Sequence, residues 1–214
     1  MDNKILKHVK SLIERYPALA VCKDEIIGAY DILEQSYLNG GKLLVCGNGG
    51  SASDSEHIVG ELMKGFVLRR KMNEKQTDAL KSIDAELGTT LSQHLQGALP
   101  AITLTAHTSL TTAYMNDCEP VLAFSQQVNG YGKEGDSFLG ISTSGNSMNV
   151  IYAAITAKSK GLHVIGLTGQ KENKLEKYAD VCIHVPETET YKIQELHLPV
   201  YHCLCLMLED KFFG

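Results

Sequence analysis

The sequence is poor in several features that would point to particular functions. No basic run is longer than Arg69-Arg70-Lys71, and 20 Lys+Arg stand against 25 Asp+Glu for a formal charge of −5. A nucleic-acid partner is therefore not expected. The six cysteines, Cys22, Cys46, Cys118, Cys182, Cys203 and Cys205, form no C-x-x-C pair, so a zinc ribbon or dithiol redox site is excluded. They read as small buried apolar residues of a reducing compartment. The opening stretch MDNKILKHVKSLIERYP interleaves charged and apolar residues. It has no long apolar run, and the expectation is a cytoplasmic protein with no membrane partner. No Gly-Lys-Ser/Thr follows either glycine-bearing loop, which excludes a P-loop.

What is present is ordinary globular composition. With 214 residues, 43% hydrophobic and 21% charged, the chain is long enough to bury one core and too apolar to be disordered. Ile5, Leu6, Val9, Leu12 and Ile13 recur at helical spacing before Pro17. The spacing predicts a helix from Asp2 to Tyr16. A second helix, carrying Val21, Ile26, Ile27, Tyr30, Leu33 and Tyr37, ends at Gly40-Gly41. Then come five short apolar runs: KLLVCG from Lys42, PAITLT from Pro100, SFLGI from Ser137, HVIGLT from His163 and VCIHV from Val181. Their alternation with helical patterns predicts an α/β fold with a parallel sheet. A last helix spans residues 191–213. One domain covers 1–214, with N-terminal helices over 1–41. Residues 67–99 are polar and helix-favouring, either an inserted helical flap or an ordinary solvated connection.

Two loops sit after strands, where parallel sheets gather ligands. The first is Gly47-Asn48-Gly49-Gly50-Ser51. The second, Ser142-Thr143-Ser144-Gly145-Asn146-Ser147, has four hydroxyls and opens a helix, a setting suited to a phosphate. The alternative for Ser144 or Ser147 is simple helix capping. His57 and Glu61 share a helix face just after the first loop. They suit proton transfer or a metal, or form a common surface pair. Gln194, His197 and His202 lie on the last helix, where a histidine can equally be a core residue.

GNGGSASDSEH with Glu61 four residues on, Asn116-Asp117, ISTSGNS and IQELHLPVYH resemble the phosphoheptose isomerase family of the sugar isomerase (SIS) fold. The resemblance runs from about Leu44 to the C-terminus. It implies a flavodoxin-like five-stranded parallel sheet with added helices, and a homotetramer with active sites between subunits. By resemblance, Ser142, Thr143, Ser144 and Ser147 hold the phosphate, and Asn48, Gly49, Gly50, Ser51, Asn116, Asp117 and Gln194 face the sugar. The match further implies one zinc per subunit, held by His57, Glu61, Gln194 and His202. Two positions depart from enterobacterial members: an arginine after the glutamate is Gly65 here, and an aspartate before the glutamine is Tyr191. Residues 67–99 are also longer than the matching connection.

The activity so implied interconverts sedoheptulose 7-phosphate and D-glycero-D-manno-heptose 7-phosphate through an enediolate. Glu61 is the base and His202 the acid. Another sugar phosphate is an alternative substrate. SIS relatives that sense phosphosugars or bind a replication initiator are the non-catalytic alternative, and these lose the acid–base pair. Gln194 and His202 are eight residues apart, so on one straight helix they differ by roughly 12 Å along the axis. Joint use of both implies a distorted helix or ligands shared between chains. Leu198, Tyr201, Leu206 and Met207 add a second apolar face to that helix, which is expected to pack between subunits.

Overall fold

The computed structural model describes residues 3–214. The chain opens with α1 (Asn3–Arg15), so the expected start at Asp2 lies outside the described residues. Pro17 then begins a 3-10 turn, Pro17–Cys22, instead of the second helix. Val21, expected on a buried face, falls in that turn and is exposed. α2 (Lys23–Leu38) starts after it with Asp24 and Glu25 in the first turn, where carboxylates favour the helix dipole.

All five apolar runs are strands: β1 (Leu43–Cys46), β2 (Ala101–Thr103), β3 (Ser137–Ile141), β4 (His163–Gly169) and β5 (Val181–Val185). They pair in parallel in the order β2-β1-β3-β4-β5. Between them lie α3 (Gly50–Met63), α4 (Glu74–Ile83), α5 (Ala85–His94), α6 (Thr108–Asp117), α7 (Ala123–Tyr131) and α8 (Met148–Ser159). The chain closes with α9 (Thr190–Phe213).

Successive strand residues point to opposite faces, and each face has its own core. Leu43, Val45, Leu139, Ile141, Ile165 and Leu167 pack with the buried faces of α1, α2, α3 and α9. Leu44, Cys46, Phe138 and Val164 pack with residues of α7 and α8. α9 contacts α1, α2 and α3 as well as the sheet. The second apolar face expected between subunits is thus covered in part within the chain. Tyr201 and Met207 are buried, Leu206 is half-buried and Leu198 is exposed.

Residues 67–99 contain a helical hairpin. Asn73 accepts a bond from the Gln76 N–H at the start of α4, and Asp84 accepts from Glu86 and Leu87 at the start of α5. The two helices pack on each other, and Gly88 is their one buried residue. Five of the six cysteines are buried, while Cys118 is exposed. Burial pushes the thiols of Cys22 and Cys182 up to about 11, so neither is a nucleophile at neutral pH. Among the described residues no helix is long and apolar enough to cross a membrane.

His197 is fully buried in α9, and burial pushes its imidazole down to about 4. An unfolded histidine titrates near 6.5. Between these values the unfolded chain binds the extra proton, so stability is full above about pH 6.5 and declines toward pH 4. The loss from this one group at pH 4 is about 3 kcal/mol. His197→Gln should make urea stability fall less steeply from pH 6.5 to 4; an unchanged slope would show that His197 is not the group responsible.

Candidate active site

The strand order places a reversal of chain direction between β1 and β3, where the connections leave for opposite faces. Ligands of doubly wound sheets bind at such a point, beyond the strand carboxyl ends. Both loops named from the sequence emerge there. Gly49 holds φ at +57°, a conformation open to glycine, and starts α3. Gly50 lies against the end of Gln194: a Cβ there would come within 2.5 Å of the Gln194 Nε2. Ser51 is buried in the first turn of α3.

In the second loop the Ser142 and Ser147 hydroxyls meet at 3.0 Å, and Ser144 Oγ accepts from the Asn146 N–H at 3.2 Å. Ser147 is the N-cap of α8, yet its hydroxyl makes no capping bond. Capping therefore does not account for it. The Thr143 carbonyl accepts from the Gly169 N–H, tying the loop to the end of β4. The Asn48 and Asn149 amides bond reciprocally at 3.0 and 2.9 Å, tying the first loop to the first turn of α8, which the second loop opens. Asn149 escaped sequence reasoning because its partner is 101 residues away. Asn116 and Asp117 lie exposed at the end of α6, where Asn116 donates to Asp117.

Further along α3, three other residues converge. His57 Nε2 is 3.3 Å from Glu61 Oε1, and the His57 and His202 rings stand 5.0 Å apart, edge to face. Burial and the neighbouring His57 hold the His202 imidazole below its ordinary pKa, against an upward pull from Glu61. Lys64, which no sequence pattern singled out, donates to Glu61 Oε2 at 2.8 Å. Gln194 stays at Gly50, apart from this group.

These residues fit a zinc ion in part. His202 Nε2 is buried with no hydrogen-bond partner, and an imidazole and a carboxylate stand beside it, donors that zinc accepts. Among the described residues no three His, Cys, Asp or Glu side chains are already preset around one point, so binding would require side-chain rotation.

A buried ion pair fastens the end of α3. Arg70 and Glu209 are each 1% exposed, with Arg70 Nε donating to Glu209 Oε1 at 2.8 Å. Arg70 also donates to the carbonyls of Leu62 and Glu61, and lies over the Phe213 ring. Glu209 accepts from the backbone N–H groups of Phe66, Val67 and Leu68. Burial alone would raise its carboxyl; those donors and Arg70 hold it below its usual range. Arg70→Met should cost about 3–5 kcal/mol of stability to urea, because it strands a buried carboxylate. Adding Glu209→Leu should recover only part, since three backbone N–H groups then lose their acceptor. Full recovery would show those backbone bonds to be dispensable.

Comparison with known proteins agrees with this geometry. The SIS domain family matches residues 6–95 and 79–169. The phosphoheptose isomerase of Aneurinibacillus thermoaerophilus is 36% identical over all of this chain and 96% of its own length. That of Rhodospirillum rubrum is 35% identical over 98% of each. Among solved structures, the phosphoheptose isomerases of Neisseria gonorrhoeae and Francisella tularensis superpose with TM-scores of 0.72 and 0.74, at 32% and 30% identity over 96% of each chain. With that identity sustained from end to end, and the loops and the His57–Glu61–His202 group in place, the chain belongs to the phosphoheptose isomerase family of SIS-domain proteins.

Proposed function

We propose that this protein isomerises sedoheptulose 7-phosphate to D-glycero-D-manno-heptose 7-phosphate. The observation that carries the proposal is the convergence of Glu61, His57 and His202 from two helices. A phosphosugar-sensing module would have no use for such a group. The relatives' names supply the substrate.

In this mechanism the phosphate sits in the loop 142–147, among the hydroxyls of Ser142, Thr143, Ser144 and Ser147 and the first N–H groups of α8. Asn48, Gly49 and Gly50 present the glycine loop to the sugar beside it, with Gln194 behind. Glu61 takes a proton from C1 of the ketose and returns it to C2, while His202 exchanges the proton of the neighbouring oxygens. Lys64 holds the Glu61 carboxylate by a hydrogen bond to Oε2, and His57 stands beside Oε1. A zinc ion, when bound, would polarise those oxygens. His57, Glu61 and His202 would hold it. Run in deuterium oxide, the reaction should place deuterium at C2 of the heptose product. Glu61→Gln should lower turnover by at least about 100-fold and leave the fold intact. A folded wild-type protein that makes no product with zinc supplied would overturn the proposal.

The two halves of the site also bear on assembly. The phosphate loop is bound to the start of α3 through Asn48 and Asn149, whereas Glu61 lies eleven residues on, about 16 Å along the axis. A seven-carbon chain with bonds of about 1.5 Å spans only about 9 Å. This mismatch supports a homotetramer in which one subunit's phosphate loop faces another's Glu61 and His202. Light scattering should give the mass of four chains. Mixing Glu61→Gln chains with Ser144→Ala/Ser147→Ala chains should restore part of the activity. Mixing Glu61→Gln with His202→Asn should not, because those residues act from one chain. No recovery in the first mixture, after subunit exchange is demonstrated, would place loop and base in one chain.

A further inference from the structure

Tyr201 is buried on α9, and its side chain bridges to α3. The phenol oxygen lies 3.0 Å from His57 Nδ1 and 3.3 Å from Asp54 Oδ1. Asp54 and His57 are three residues apart on one helix face. The Tyr201 ring also meets the His57 and His202 rings edge to face, at centroid distances of 5.5 and 5.0 Å.

A phenol has one proton to donate and lone pairs with which to accept. Ionised Asp54 can only accept, and its second oxygen is already buried with no partner. The phenol proton therefore goes to Asp54, since any other direction would leave the carboxylate with no donor at all. Its lone pair is then turned toward His57, where it requires an N–H at Nδ1. A neutral imidazole with hydrogen on Nδ1 has its lone pair on Nε2. That nitrogen faces Glu61 Oε1 at 3.3 Å. Two lone-pair-bearing atoms set so close suit a cation between them, which the unpartnered Nε2 of His202 would join on side-chain rotation.

We propose that Tyr201, oriented by Asp54, is a positioning residue that selects the Nδ1–H tautomer of His57 and aims its Nε2 lone pair at the Glu61–His202 group. Such outer partners commonly set the orientation and basicity of a metal-binding histidine. The role as positioning residue for a metal ligand rests on the zinc reading above; the choice of tautomer does not.

The test compares full-length wild type with Tyr201→Phe, and with Asp54→Asn as a second variant. Nitrogen-15 NMR of histidine-labelled, zinc-free protein should show Nδ1–H for His57 in the wild type and loss of that preference in Tyr201→Phe. Asp54→Asn should weaken the preference in the same direction. Zinc affinity, measured by competition with a chelator, should fall about 10–100-fold in Tyr201→Phe. An unchanged His57 tautomer in both variants overturns the proposal and leaves Tyr201 a packing residue, even if the melting temperature drops. A changed tautomer with unchanged affinity, in a protein that binds zinc, overturns the metal-directed role. If wild type binds no zinc while the tautomer still depends on Tyr201, the tautomer assignment stands and the zinc reading falls.

Discussion

The packing of α3 against α9 depends on the buried pair Arg70–Glu209. A carboxylate and a guanidinium taken out of water are costly unless nearly every donor and acceptor is used. Here they are used on three separate pieces of chain. Arg70 takes the carbonyls of Glu61 and Leu62 in the last turn of α3, groups that a helix end leaves unpaired. Glu209 takes the N–H groups of residues 66–68. The pair thereby fixes where α3 stops, how the chain leaves it and how α9 lies beside it. Since Glu61 is on the last turn of α3 and His202 is on α9, the same pair fixes the spacing between them.

At the other end of α3 the constraint is polar and exposed. Reciprocal amide bonds between Asn48 and Asn149 tie the glycine loop to the hydroxyl loop, beyond the carboxyl ends of adjacent strands. Gln194 packs against Gly50 there, so α9 touches both ends of α3. One helix thus separates the two loops from the His57–Glu61–His202 group. The α4–α5 hairpin stands outside both ends, with nearly all of its surface exposed.

The expected strands and the long terminal helices are where the apolar periodicity placed them, because burial on one or two faces writes its period directly into adjacent residues. The loops were legible for a similar reason: glycines, hydroxyls and a following helix are local features. Misreadings were local as well. Val21 looked like part of a helical stripe, but Pro17 at the head of the segment favours a tight 3-10 turn and leaves that side chain outside. The second apolar face of α9 was legible, whereas what covers it was not. Tyr201 and Met207 of it are buried within the same chain, while Leu198 and Leu206 are not.

The sequence by itself determined the α/β class, the five parallel strands, the place of the two loops after β1 and β3, and which titratable residues follow them. All of these are carried by neighbours within a turn or two of one another. Only the tertiary structure decided which of those residues meet. Arg70 and Glu209 are 139 residues apart, His57 and Tyr201 are 144, and Asn48 and Asn149 are 101. No periodicity links residues so distant. The first two pairings follow from how α3 and the chain after it pack on α9, the third from β1 lying beside β3, and hydrogen-bond partners are assigned only once that packing has brought them within about 3 Å.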